Sequence, residues 1–450
     1  MGKEIGIPII LIGIILFFIL RGGGVLTGLK FQDSPFGIHD PQIPEIDSAT
    51  DIANIGVKWI RFAGRRGISW GEVESQKGRF DWSYYDNLYS EIYKNGIKIF
   101  ITLGVGNKAY GSEYGYLPSD LSAYLSFLKK AVERYDGIWQ IDNEPDNFWK
   151  DSRENYAKLL KESYKVIKQT NPQAKVAIAG VGSYHGFYDF YIPLMKELTK
   201  IRDNPADRYF DIFDFHWFLF GGQYNYFVEP QGETAYLEEY INKIKQILIE
   251  YGYDNTPIFI TETAQYSDQP TGMEFHSEVK QALDLIKVYI YALSKGVEKL
   301  FWVTLTEWYG FESKPNGEFD NAGLINNPQN DGQSHKKLSY YTYKKMVEIL
   351  EGSDWNNIQT IQESDGIYIY VFTNQGKPVV VIWNDNSDSR QVTITGISSA
   401  QVKVTEVVPE YESGEDVTDY NTAFKKEMKS VSSGEITLTL EDIPMFIEEG

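Results

Sequence analysis

Two glutamates stand where two apolar stretches of the chain end. Residues 138–142 are mostly apolar and lead to Asn143 and Glu144, and the proline that follows has no N–H to donate to a strand. Residues 257–261 form a second apolar run, which ends at Glu262. A charge at the end of an apolar strand is costly unless it serves a purpose. Two such carboxyl groups can divide acid–base and nucleophilic work, one protonated and the other ionised.

The region that must position these glutamates alternates short apolar runs with amphipathic stretches. Eight strand–helix pairs in this region predict an α/β fold, a (β/α)8 TIM barrel, whose parallel strands are buried on both faces. A doubly wound open sheet is the alternative, but the first strand–helix turn has no glycine fingerprint. The predicted strands are 36–39, 57–62, 97–103, 138–143, 175–179, 210–215, 258–261 and 299–305, and the predicted helices are 46–55, 82–95, 121–135, 154–169, 187–198, 235–251, 278–295 and 338–350.

Beyond residue 352 short alternating runs separated by turn residues replace the helical pattern, which predicts a C-terminal β-sandwich. We therefore expect an N-terminal segment at 1–30, a catalytic barrel at 31–352 and the sandwich at 353–450. The sandwich has few aromatic residues, and they alternate as core residues do, so a bracing role is favoured over glycan binding.

The N-terminal segment contains an apolar run from Ile5 to Leu20, between Lys3 and Arg21. Sixteen residues are few for a full membrane span, although residues 22–26 could extend it. A secretory signal and a buried core helix are the alternatives. No small-residue cleavage site precedes the glycines at 22–24, which favours an uncleaved anchor. Either membrane interpretation predicts an extracytoplasmic protein, anchored or secreted.

Composition excludes several classes of function. A formal net charge of −20 argues against nucleic acid as a partner, because the phosphate backbone would be repelled. The chain has no cysteine, so it has no disulfides and no thiolate metal site. Its five histidines show no close metal-ligand spacing, and we expect no metal and no cofactor.

The predicted strand ends bring further polar side chains to the face of the barrel that carries the glutamates. Arg61 ends strand two, Asn143 and Glu144 end strand four, His216 ends strand six and Glu262 ends strand seven. Two carboxyl groups that face each other are the minimum machinery for cleaving a glycosidic bond. A nearby arginine would keep one of them ionised, whereas a less polar setting would raise the pKa of the other.

Some of these residues have a structural alternative. Arg61 could form an ion pair that only closes the barrel, and His216 could be a core histidine. Trp302 on strand eight is a candidate platform for a sugar ring or ordinary barrel filling. Trp149 and Trp217, just beyond strands four and six, are either sugar-stacking residues or packing residues.

The chain resembles the clan A glycoside hydrolases, which are retaining (β/α)8 enzymes with catalytic glutamates at strands four and seven. Within the clan it most resembles family 39, the β-xylosidase and α-iduronidase family. The resemblance covers residues 36 to 350, and a β-sandwich after the barrel is common in the group. The matching stretches are KWIRF (58–62), WQIDNEPD (139–146), DIFDFH (211–216), ITE (260–262), FWVT (301–304) and KLSYYTYK (337–344).

The resemblance implies roles for the matching residues. It makes Glu144 the general acid/base, Glu262 the nucleophile and Asn143 the residue that binds the sugar 2-hydroxyl. It places His216 and Arg61 around the nucleophile, and Trp302 under the sugar. Asp142 departs from the family pattern, in which an apolar or aromatic residue commonly precedes the Asn-Glu pair. That departure puts the usual subsite shape in doubt.

The expected function is therefore a retaining glycosidase that acts on a carbohydrate by double displacement. A surface protein that binds carbohydrate and has lost catalysis is one alternative, although it would more often have lost one of the glutamates. A transglycosidase is the other, and it would share every residue named above.

Overall fold

The computed structural model describes residues 33–40, 47–63, 67–219, 222–228, 234–268, 277–309, 318–331 and 334–450. The polypeptide divides into a unit of residues 30–349 with 412–416 and a unit of residues 350–411 with 417–450. The predicted boundary at residue 352 lies close to this division. The predicted N-terminal anchor at 1–30 lies outside the described residues. Within the described ranges, no helix has the length and hydropathy needed to cross a membrane.

The first unit is built around eight parallel strands: β1 Phe36–His39, β2 Trp59–Phe62, β3 Lys98–Gly104, β4 Ile138–Ile141, β5 Lys175–Ala177, β6 Phe213–His216, β7 Ile258–Thr263 and β8 Lys299–Val303. Their order is β5-β4-β3-β2-β1-β8-β7-β6. A parallel bridge between Ala177 and Ile212 joins β5 to the residues that lead into β6. The ring therefore closes, and the predicted (β/α)8 barrel is confirmed.

The barrel interior is apolar towards the amino ends of the strands and polar towards their carboxyl ends. Its buried apolar layer consists of Trp59, Phe100, Ile138, Ala177, Ile212, Phe259 and Phe301. Alternate residues of a strand point to the same side. Arg61 follows Trp59 by two residues and Gln140 follows Ile138 by two, so both point into the barrel nearer the carboxyl ends of the strands. The polar side chains therefore lie next to this buried apolar layer, on the side of the carboxyl ends of the strands.

Eight main helices accompany the strands: α1 Asp47–Ile55, α2 Ser83–Lys94, α3 Leu121–Arg134, α4 Arg153–Thr170, α5 Ile192–Lys200, α6 Leu237–Glu250, α7 Glu278–Ser294 and α8 Leu338–Leu350. Asp120 caps α3, because its side chain accepts from the Ala123 N–H. A π-helical stretch, Phe187–Tyr191, occupies the start of the predicted fifth helix. The predicted start of the sixth helix is instead a strand, Thr234–Tyr236, paired with Tyr226–Val228 in a hairpin.

The second unit contains the antiparallel strands β9 Gln359–Ser364, β10 Ile367–Asn374, β11 Lys377–Asn384, β12 Arg390–Thr395, β13 Gln401–Glu406, β14 Lys426–Ser430, β15 Glu435–Leu440 and β16 Met445–Glu449. They form a six-stranded sheet, in the order β9-β10-β11-β16-β13-β14, and a β12-β15 pair. Both sheets contribute to one apolar core, which includes Ile369, Ile382, Val404, Leu438 and Ile447. The predicted β-sandwich is confirmed.

Candidate active site

Glu262 lies at the carboxyl end of β7, opposite His216 of β6 in the strand register. Its Oε1 atom accepts a hydrogen bond from Nη1 of Arg61 at 2.6 Å. Nε2 of His39 lies 3.5 Å from the same oxygen. Arg61 is fully buried on β2, and only 7% of Glu262 is exposed. The guanidinium therefore acts on this carboxylate with little screening by water.

Arg61 also fixes the residues that surround Glu262. Its Nη2 donates to Oδ1 of Asn143 at 2.5 Å and to Oε1 of Gln140 at 2.7 Å. The amide of Gln140 in turn donates to Oδ2 of Asp214 at 2.5 Å, and Thr261 Oγ1 donates to the same oxygen at 2.7 Å. One buried network thus links strands β2, β4, β6 and β7.

Gln140 and Asp214 are site residues that the sequence reasoning did not select. Each lies two residues after an apolar residue of the barrel interior, Ile138 or Ile212, so strand alternation could have placed both on the inner face. Burial raises the pKa of Asp214 to about 7, although the Arg61 charge and its hydrogen bonds oppose this. Asp214 lies deeper in the barrel than Glu262, so it supports the polar residues at the carboxyl ends of the strands.

Glu144 follows β4 and immediately precedes the short helix Pro145–Phe148. Its backbone has a left-handed conformation with φ 42°. Its N–H donates to the Gly180 carbonyl at 3.1 Å. Burial raises the pKa of its carboxyl group above the ordinary value, and the Arg61 charge and a hydrogen bond from Asn147 only partly oppose this. A carboxyl group in this setting favours the protonated form that a general acid needs.

His216 lies between the two glutamates. Its Nδ1 atom is 2.9 Å from Oε1 of Glu144, and its Nε2 atom is 3.5 Å from Oε1 of Glu262. Burial lowers its pKa to about 4; the Arg61 charge also lowers it, whereas the Glu262 charge opposes the shift. The imidazole is therefore neutral at pH 7 and adds no positive charge between the carboxyl groups.

Two glycines after β5 leave the space that this arrangement needs. A Cβ atom on Gly182 would lie 2.5 Å from Oε1 of Glu144, and one on Gly180 would lie 2.6 Å from the His216 ring. Neither distance is compatible with van der Waals packing. The close approach of the β5 loop therefore requires both glycines, which the sequence pattern did not single out.

Glu144, His216 and Glu262 also offer three potential metal-binding atoms within 4.8 Å of one another. Carboxylate oxygens and an imidazole nitrogen are suitable ligands for a divalent cation. However, the Glu262 oxygen nearest His216 already accepts from Arg61. A cation there would be repelled by the buried guanidinium, so the donor set fits a metal poorly.

Five of the eight predicted site residues come together: Arg61, Asn143, Glu144, His216 and Glu262. Three tryptophans do not. Phe301 points into the barrel, so Trp302 points outward, where its Nε1 donates to the Ala322 carbonyl. Trp149 packs edge-on against Tyr156, and Trp217 packs against Tyr240. All three are buried. Their role in stacking on sugars stays a prediction that these positions do not favour.

Other apolar residues lie next to the glutamates. Phe218 follows β6, and its ring centroid is 6.3 Å from that of His216. It packs against Phe319, whose ring contacts Trp308. Val303 at the end of β8 belongs to the same apolar cluster. These residues form an apolar patch beside the carboxyl groups, where Trp302 was expected.

Three solved glycoside hydrolases are similar to this chain in fold. A family 39 glycoside hydrolase from Bacteroides cellulosilyticus WH2 has a TM-score of 0.70 and 18% identity, over 92% of this chain and 81% of that one. A β-xylosidase from Caulobacter crescentus CB15 has a TM-score of 0.60 and 16% identity, over 92% and 96%. A family 30 endoxylanase from Clostridium papyrosolvens C71 has a TM-score of 0.57 and 13% identity, over 94% and 97%.

The chain has the fold of these glycoside hydrolases. No protein-family model and no curated protein matches the sequence. The resemblance to clan A seen in the motifs is thus confirmed in the fold, including the sandwich that follows the barrel. Identities below one fifth do not carry an activity from one protein to another, so the activity must be argued from the site.

Proposed function

We propose that the protein is a retaining glycoside hydrolase that cleaves O-glycosidic bonds of oligo- or polysaccharides. The observation that carries the proposal is the pairing of Glu144 and Glu262. One carboxylate oxygen of each residue lies within 4.8 Å of a carboxylate oxygen of the other. Retaining enzymes hold their two carboxyl groups about 5–5.5 Å apart, whereas inverting enzymes need about 6.5–9.5 Å to admit a water molecule.

The unequal surroundings of the two carboxyl groups support a division of labour. Arg61 places a buried positive charge 2.6 Å from Glu262, a setting that suits a nucleophile. Burial favours the protonated form of Glu144, which suits a general acid. In the first step Glu262 attacks the anomeric carbon, and the departing oxygen takes the proton of Glu144. In the second step Glu144 deprotonates a water molecule, which releases the sugar from Glu262 with net retention.

The experiment that tests this proposal is hydrolysis of aryl xylosides, glucosides, mannosides and galactosides, and of soluble glucans, xylans and mannans. It compares the wild type with Glu144→Ala, Glu262→Ala and the exposed control Glu133→Ala. We expect Glu262→Ala to lose about 10⁴-fold or more in turnover. Azide should restore both catalytic variants, giving glycosyl azides of opposite anomeric configuration.

If the wild type binds sugars but hydrolyses none of these substrates, that result would instead favour a binding protein. Full activity in either glutamate variant would place the site elsewhere. Added acceptor sugars extend the same assay, because transfer products in place of hydrolysis would identify a transglycosidase.

We also propose that the apolar run at Ile5–Leu20 anchors the enzyme outside the cytoplasm. Its composition and its flanking charges are the support. The test is alkaline carbonate extraction of membranes from cells that express residues 1–450 or 27–450. Retention of only the longer chain in the membrane pellet is expected, and equal release of both chains would refute the anchor.

A further inference from the structure

Two exposed aromatic side chains lie beside Glu144. Tyr114 is 46% exposed in the loop after β3, and Phe148 is 44% exposed at the end of the short helix that Glu144 begins. Their ring centroids are 6.3 Å apart. Single exposed aromatics are ordinary on a protein surface, but adjacent ones at the mouth of a catalytic site indicate a binding surface.

The backbone holds the two rings in a fixed relation. Gly115 has φ +83°, and a Cβ atom there would lie 2.3 Å from the Phe148 carbonyl oxygen. The Lys150 N–H donates to the Gly115 carbonyl at 2.8 Å, and the Leu117 N–H donates to Oδ2 of Asp151 at 3.2 Å. The β3 and β4 loops are therefore joined directly beneath the rings, so binding a ligand need not order them.

Asp142 gives the Tyr114 ring a further point of attachment. It is 1% exposed and has a left-handed backbone with φ 69°. Its Oδ1 accepts the Asn143 N–H at 2.9 Å, whereas its Oδ2 has no hydrogen-bond partner of regular geometry among the described residues. The Tyr114 phenol interacts with this carboxyl group. Asp142 thus supports the tyrosine.

The position of the rings relative to the two glutamates gives them a role. Strands β3 and β4 lie across the barrel from β7, which carries Glu262. In a double displacement the sugar that forms the covalent bond lies at the nucleophile, and the leaving group lies on the side of the acid. A ligand that stacks on Tyr114 and Phe148 is therefore part of the leaving group.

Resting on the proposed function, we propose that Tyr114 and Phe148 form the subsite that binds the sugar ring on the leaving-group side of the scissile bond. The apolar C–H face of a pyranose suits stacking on flat rings of this kind. The preferred substrates are then oligo- or polysaccharides whose leaving group is itself a sugar, rather than simple glycosides with small leaving groups.

The test compares leaving groups that do and do not reach the rings. The probes are xylotetraose and cellotetraose on one side, and β-xylosyl fluoride and β-glucosyl fluoride on the other. The variants are Tyr114→Ala, Phe148→Ala and Tyr114→Phe. The matched control is Tyr93→Ala, an exposed tyrosine in the last turn of α2 whose hydroxyl donates to Asp136 just before β4, at the far end of the barrel.

We expect each alanine variant to lower kcat/KM for the tetrasaccharides by about tenfold and to leave fluoride hydrolysis unchanged. Tyr114→Phe keeps the stacking face but loses the Asp142 interaction, and should lose about two- to threefold. The Tyr93 control should change neither. Equal losses on both probe classes would show that the rings only support Glu144, and no loss on either class would show that there is no subsite here.

Failure of the proposed function gives a different result, because the wild type would then hydrolyse neither class of probe. Electrophoresis through gels that contain soluble xylan or β-glucan decides the inference in that case. Retardation of the wild type that is lost in Tyr114→Ala would support the surface as a sugar-binding site. Equal migration of wild type and variant would overturn it.

Discussion

Glu144 and Glu262 are the same residue type at the ends of two strands of one barrel, yet their surroundings are opposite. Glu262 has the buried Arg61 guanidinium at 2.6 Å. Glu144 has a neutral histidine at 2.9 Å and a less polar setting that raises the pKa of its carboxyl group. The surroundings on the neighbouring strands, rather than the glutamates themselves, are therefore what would divide the two proposed roles.

The comparison predicts that removing the cation beside Glu262 has the largest effect. In Arg61→Met the Glu262 carboxylate loses its buried partner, and Asn143 loses the group that positions it. Loss of one preorganised electrostatic contact in an active site typically lowers turnover by about 10²–10³-fold, and we expect kcat/KM to fall by about that factor.

Steady-state kinetics measure this loss. Arg134→Met is the matched control, because this arginine pairs with Asp86 on the surface. Surface pairs contribute about 0–1 kcal/mol, so the control should retain its activity. Undiminished kcat/KM in Arg61→Met would mean that the buried guanidinium does not support the proposed reaction at Glu262.

The two glutamates also show how much of the fold and of the site can be predicted from the sequence. The eight alternating strand–helix pairs are enough to predict the barrel, and the ends of its strands bring five polar residues to one face. Trp149 and Trp217 are selected by their distance along the chain from a strand end, and Trp302 by its place on strand eight. A shift of one residue reverses the face of a strand, which is why Trp302 lies outside the barrel and Val303 lies inside.

Other features depend on contacts that a single sequence does not display. Gly182 matters because Glu144 approaches it from another strand, and Asp214 matters because Gln140 and Thr261 converge on it. The stacking candidates Tyr114 and Phe148 became visible only through their exposure and their shared loop contacts. Tertiary packing therefore decides which aromatic residues face the ligand.

Gly182→Ala should have the next largest effect, and it acts on Glu144 and on its hydrogen-bond partner Asn147, whose Nδ2 would lie 2.9 Å from the new Cβ atom. The new Cβ atom would lie 2.5 Å from Oε1 of Glu144 and must displace that carboxyl group. A misplaced acid lowers turnover on substrates that need protonation of the leaving group, by about 10–100-fold. Substrates with good leaving groups, such as 2,4-dinitrophenyl glycosides, should be affected less in this variant, because their departure needs little assistance.

Gly104→Ala is the control for this variant, because a Cβ atom on Gly104 would make ordinary contacts of 3.5 Å or more with Ser69. Its kinetics should match those of the wild type. Equal losses on both kinds of leaving group in Gly182→Ala would indicate damage to the nucleophile as well, and would weaken the assignment of the two roles.

The raised pKa of Glu144 predicts a smaller effect, on stability. A carboxyl group whose pKa is higher in the folded protein does not weaken folding at low pH, where it is protonated in both states. Its ionisation opposes folding as the pH rises above the unfolded-state pKa. Glu144→Gln should therefore raise the free energy of unfolding by about 1 kcal/mol at pH 7. At pH 4 this gain should shrink towards zero.

Urea unfolding at the two pH values measures the difference, and the exposed Glu133→Gln variant is the control. Should Glu144→Gln stabilise the protein equally at both pH values, its effect would come from packing and not from ionisation.

The smallest predicted effect concerns Asn147, whose side chain hydrogen-bonds the Glu144 carboxyl group and lowers its pKa against the effect of burial. In Asn147→Ala this opposition is lost, so the pKa of Glu144 rises further and the acid stays protonated to higher pH. The basic limb of kcat/KM should move upwards by less than about one pH unit, the equivalent of one neutral hydrogen bond. Asn155→Ala, which removes only contacts to Asp151, should leave the limb in place. If the basic limb moved to lower pH in Asn147→Ala, burial would not be the dominant effect on the pKa of Glu144. The contrast with Glu262 would then need another cause.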